Sequence, residues 1–138
     1  MNEMSRYRFP NGFVAAIVML LAVAPLHAMA AEFPFDHEML LDVKPLPGSK
    51  RVPMLEIAAN GRAQVDLWCK SGAAQVEVTG TRIRFMFGPL REDTCTPERA
   101  ERDQAMIAAL SEVTQWHIEN DVVILGGPIE LRFRLSTH

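Results

Sequence analysis

Asn60-Gly61-Arg62-Ala63-Gln64-Val65-Asp66-Leu67-Trp68-Cys69-Lys70 is the stretch on which the fold turns. Asn-Gly is the strongest short hairpin signal, because both residues tolerate the positive φ of a tight primed turn. Beyond it Ala63, Val65, Leu67 and Cys69 share one face while Arg62, Gln64, Asp66 and Trp68 share the other, the period of two expected of a half-buried strand. That parity directs Cys69 into the core. It turns Trp68 to the opposite face, where it is the candidate interaction residue, since tryptophans are enriched where partners bind. The plainer placement has Trp68 packed beneath the segment Phe33 to Met39, or on a sheet covered on both sides.

The same period extends in both directions. Upstream, Leu55 and Ile57 alternate with polar or small residues, and Met39 to Val43 reads as a first strand. Between them Pro45, Pro47 and Gly48 impose a loop, because proline removes ladder donors and fixes φ. Downstream, Ser71-Gly72 reads as a turn into Ala74, Val76 and Val78, and Thr79-Gly80-Thr81 as a turn into Ile83, Phe85 and Phe87. Gly88-Pro89 ends that run.

Thr96 is a good N-cap, Pro97 suits the first helical position and Glu98 the positive end of the dipole. Met106, Ile107, Leu110 and Val113 then recur at helical spacing, so a helix is expected over 97–113. Trp116 and Ile118, then Val122 to Leu125, then Ile129, Leu131, Phe133 and Leu135 supply three more strands, the last alternating with Glu130, Arg132 and Arg134. One helix cannot cover about seven strands laid flat. The economical α+β solution is a strongly bent antiparallel sheet or partly closed β-barrel, with the helix against one opening.

The first thirty residues are of another kind. Arg6 and Arg8 precede an uninterrupted apolar run from Phe13 to Ala24, Pro25 ends it, and Ala28-Met29-Ala30 places small residues where a signal peptidase reads. Cleavage is expected after Ala30, leaving one domain, 31–138, periplasmic or secreted. The run is shorter than the roughly 20 apolar residues of a membrane span, so the membrane is met only through the transient leader. The chain carries 14 basic and 17 acidic residues, a net charge of −3. Removing Glu3, Arg6 and Arg8 leaves 12 against 16 and a charge near −4. The bases are scattered rather than striped, which disfavours nucleic acid as a partner. Both cysteines, Cys69 and Cys95, lie in the exported part, where an oxidising compartment makes a pair of thiols a disulfide.

From Arg62 to Arg134 the chain resembles the META domain, or HslJ-like, family of exported bacterial proteins. The resemblance is carried by Val65-Asp66-Leu67-Trp68-Cys69, by Ile83-Arg84-Phe85 and Gly88-Pro89-Leu90, and by Asp93-Thr94-Cys95. Ala108-Ala109-Leu110-Ser111-Glu112-Val113 and Val122-Val123-Ile124-Leu125 complete it. The family usually has Gly-Cys-Asn where Trp68-Cys69-Lys70 stands. The resemblance implies a compact β-rich fold with one helix, an envelope location, and stress or antibiotic tolerance in some members. It implies no reaction.

The residues themselves offer little chemistry. Cys69, Cys95, His117 and His37 lack the paired spacing of zinc ligands, so neither metal nor cofactor is expected. Ser71 and Ser111 stand in no nucleophile motif, and parity puts His117 on the outward face. The acids from Glu92 and Asp93 to Asp103 are interleaved with Arg91, Arg99 and Arg102, as on an ion-paired helix surface. The expectation is a non-enzymatic envelope protein that binds another protein or a small ligand. The alternative is a periplasmic inhibitor of a lysozyme or peptidase, presenting Pro45-Leu46-Pro47-Gly48-Ser49-Lys50-Arg51 as its loop.

Overall fold

The computed structural model of the chain describes residues 31–137 and Ala24. The leader and its cleavage site after Ala30 lie outside the described residues. Among the described residues nine strands and one helix follow in the order β1 (Glu38–Leu41), β2 (Met54–Ile57), β3 (Arg62–Asp66), β4 (Lys70–Thr79), β5 (Arg82–Phe87), β6 (Arg91–Glu92), α1 (Pro97–Ser111), β7 (Gln115–Glu119), β8 (Val122–Gly126) and β9 (Leu131–Leu135). This is the expected α+β class, a bent antiparallel sheet with one helix.

The sheet runs β3-β2-β1-β9-β8-β7-β5-β4, and a further β3–β4 pairing returns it to its start. Eight strands therefore form a ring. It falls short of a true barrel at one place: β5 and β7 share a single residue pair, Arg82 with Gln115. Two backbone bonds flank that pair, Ile83 N–H to the Thr114 carbonyl and Trp116 N–H to the Thr81 carbonyl. Other joints are broader, such as the six pairs between β4 and β5. The short β6 lies outside the ring, on the first two residues of β4.

Alternation does what the sequence requires of it. Met39, Leu41, Leu55, Ile57, Ala63, Val65, Val76, Ile83, Phe85, Val123, Leu125 and Phe133 point inward and are buried. Ile124 is buried as well, although its parity is outward; it stands between its cross-strand partners His117 and Arg132. One mouth of the ring is crossed by Phe33 and Phe35, which pack on each other, with Phe33 edge-on to Trp116 at 5.0 Å between centroids. Helix α1 lies across the other mouth, where β1 and β3 end and β2, β4 and β9 begin. Thr96 caps it, its Oγ1 accepting from Arg99 N–H, with Pro97 in the first turn. The helix stops at Ser111 with Glu112 as C-cap, two residues short of the expected end, and Val113 is buried beyond it.

Three expectations are corrected. Ser71-Gly72 is not a turn: it lies within β4, and the chain reverses at Trp68-Cys69, closed by Leu67 N–H donating to the Lys70 carbonyl. Period-two parity therefore ends at Asp66 and does not govern Trp68. Ile129 does not belong to the last strand, which begins at Leu131. Gly127 packs so tightly on the end of α1 that a Cβ there would lie 2.9 Å from the Glu112 carbonyl oxygen. The following turn swings outward, leaving Ile129 exposed.

Candidate functional site

The Trp68-Cys69 reversal has two residues at its tip and no positive-φ residue, so it is not the primed turn that two-residue hairpins favour. It is held from outside. Asp103, in the middle of α1 and fully buried, accepts three successive backbone N–H groups. Trp68 donates to its Oδ1 at 2.9 Å, and Cys69 and Lys70 donate to its Oδ2 at 2.7 Å each. Successive N–H groups turned to one point make an anion-binding concavity, and here the anion is the protein's own carboxylate. Asp103 is thus not a surface member of the acidic stretch.

The disulfide between Cys69 and Cys95, with Cα atoms 5.9 Å apart, ties the same reversal to the residue just before the helix cap. Asp93 N–H adds a bond to the Cys69 carbonyl. The β3–β4 tip and the N-terminal half of α1 are therefore one rigid unit.

Trp68 forms a wall of the space beside that unit. It is buried, not surface-exposed as parity suggested. A cleft of about 390 Å³ opens between three elements. Helix α1 contributes Arg102, Ala105, Met106 and Ala109, and the end of β1 contributes Leu41, Asp42 and Val43. The start of β9 and the turn before it contribute Ile129, Glu130, Leu131 and Arg132. Among the described residues the exposed large hydrophobics are Val43, at 41%, and Ile129, at 59%. Both stand at this cleft.

Its charges are spoken for. Asp42 pairs with Arg134 at 3.0 Å, Glu130 with Arg132 at 3.4 Å, and Arg102 with Glu98 at 3.6 Å.

The other candidate residues do not converge. His117 pairs with Glu119 on the surface at 3.1 Å, and His37 Nδ1 lies 2.8 Å from its neighbour's carbonyl, that of Phe35. Ser111 donates back to the Ile107 carbonyl within the helix, and Ser71 sits in β4 beside Arg91. Among the described residues no three His, Cys, Asp or Glu side chains group as metal ligands would. In the Pro45–Arg51 segment Arg99 of α1 donates to the Pro47 carbonyl and Leu46 packs on the core, while Pro45, Pro47, Gly48, Lys50 and Arg51 are exposed.

Sequence reading missed the cleft because no local pattern writes it. Its one readable signal was Ile129, an apolar residue directly after Gly126-Gly127-Pro128.

Comparison with known proteins bears on the fold. A family model, META domain, matches residues 38–135. An NMR structure of a protein from Burkholderia xenovorans is 17% identical and aligns with a TM-score of 0.58, covering 83% of this chain and 98% of its own. Another NMR structure is 16% identical with a TM-score of 0.55, covering 72% and 89% respectively. At such identities the likeness is one of fold. No curated protein matches the chain.

Proposed function

The chain belongs to the META domain family, and from that premise we propose that it is a non-enzymatic binding module of the cell envelope, with its ligand in the cleft between α1 and the β1–β9 edge. The observation that carries this reading is the convergence of Val43 and Ile129 on one apolar concavity of about 390 Å³. Exposed apolar side chains scattered singly need no explanation; a pair framing a cleft lined by Trp68, Met106, Ala105 and Leu131 does. The volume is within the range of small-molecule sites. An exported setting agrees with the leader-like first thirty residues and with the cysteine pair.

The reading is tested with an environment-sensitive apolar dye and the Ala105→Phe variant. Ala105 is solvent-exposed on the cleft wall, so the larger side chain fills the cleft without entering the core. The wild-type protein binds the dye, and the variant binds it roughly tenfold less tightly, the effect of about 1–3 kcal/mol of overfilling. Equal binding by the two proteins would remove the cleft from the account.

A further inference from the structure

We infer that the occupant of this cleft is a small neutral molecule with an apolar body and one hydrogen-bond acceptor, and that the acceptor meets the indole N–H of Trp68. The inference rests on the cleft reading above and narrows it. Among the described residues Trp68 Nε1 is the buried side-chain nitrogen or oxygen that has no hydrogen-bond partner. Indole N–H is a donor only, so whatever satisfies it must accept. The residue is nine-tenths buried and Nε1 itself has less than 1 Å² of accessible surface, so bulk solvent does not reach it, and a buried unmet donor is costly. A ligand acceptor recovers that cost on binding. Because Nε1 is closed to a water-sized molecule, the acceptor reaches it only as the cleft wall yields; Met106 lines the same cleft, and its unbranched, adaptable side chain suits that movement.

Neutrality follows from the rim. Asp42, Glu130, Arg132 and Arg102 each hold an opposite charge already, so no uncompensated charge awaits an ion. A small molecule is favoured over a protein surface because the exposed large hydrophobics are confined to the concave mouth. A stable protein partner covers about 800 Å² per side, which extends well beyond it.

The chain has two tryptophans, and the Nε1–H of Trp116 is bonded to the Gly80 carbonyl at 2.8 Å, so its NMR signal is an internal reference. The intact protein is titrated with acetophenone, with its near-isostere ethylbenzene, which lacks the acceptor, and with benzoate and benzylammonium. Acetophenone shifts the Trp68 Nε1–H signal downfield and leaves that of Trp116 in place. It binds roughly threefold to tenfold more tightly than ethylbenzene, the range for one net hydrogen bond. In Trp68→Phe that advantage of acetophenone over ethylbenzene disappears. The two charged probes bind more weakly than acetophenone.

If acetophenone and ethylbenzene bind the cleft alike and the Trp68 signal does not move, the inference falls and the cleft reading stands. Tighter binding of either charged probe overturns the neutral ligand. If no probe perturbs the residues lining the cleft, the cleft reading falls and takes the inference with it.

Discussion

Trp116 and Trp68 serve the two mouths of one ring, and the molecule treats them differently. Trp116 is finished: Phe33 packs edge-on against it, and its indole N–H donates to the Gly80 carbonyl. Trp68 is equally enclosed, yet its N–H has no acceptor, and its ring borders space instead of another aromatic side chain. The backbone around the two reverses the contrast. Trp116 is carried on an ordinary strand, whereas the Trp68 tip is bound by a carboxylate and a disulfide together. A packed mouth needs no special fastening. An open one does, because the walls of a cleft receive no support from whatever would otherwise fill it.

The largest effect that can break this comparison is expected at Asp103. Asp103→Ala leaves three N–H groups at the Trp68 tip without their acceptor, two of them in a fully buried setting. Loss of about 3–5 kcal/mol in urea unfolding is expected, on the scale of removing the charged partner of buried donors. A loss under about 1 kcal/mol would show that the tip is held by packing alone.

Next comes the crosslink. Cys69 and Cys95 stand 26 positions apart in the chain, and in the chain-entropy model a loop of that length stabilises by about 3.5 kcal/mol. Reduced protein should therefore unfold about 2–4 kcal/mol more easily. Its dye affinity should fall in parallel, because the cleft wall is attached to the bond. Unchanged affinity after reduction would separate the wall from its fastening.

What the sequence disclosed follows the same division. The strands Arg82–Phe87 and Leu131–Leu135 and the Thr96-Pro97 helix start are written in neighbouring residues, by period two and by capping. The mouth under α1 is not. Trp68 was placed outward by extending a strand's parity past Asp66, where the strand ends. Asp103 looked like one acid among several because the N–H groups it serves lie more than thirty residues away. Ile129 looked like the first inward residue of a strand because the tight approach of Gly127 to Glu112 exists only once the helix is docked.

The smallest effects sharpen the comparison most finely. Trp116→Phe discards a made hydrogen bond and should cost about 1–2 kcal/mol, whereas Trp68→Phe discards an unmet donor and should change stability by less than about 0.5 kcal/mol. Thermal unfolding of the two variants decides it: equal losses would mean that the Trp68 N–H is satisfied after all.

The single-pair joint between β5 and β7 has its own consequence. A closed hoop in which one weld is far narrower than the rest gives way there first. Slow breathing of this fold should therefore begin with Arg82 and Gln115 parting, while the β1–β2–β3–β4 side stays zipped. The chain can loosen along that line without surrendering its shape, and α1, which packs against β5 and leads directly into β7, stands guard over it.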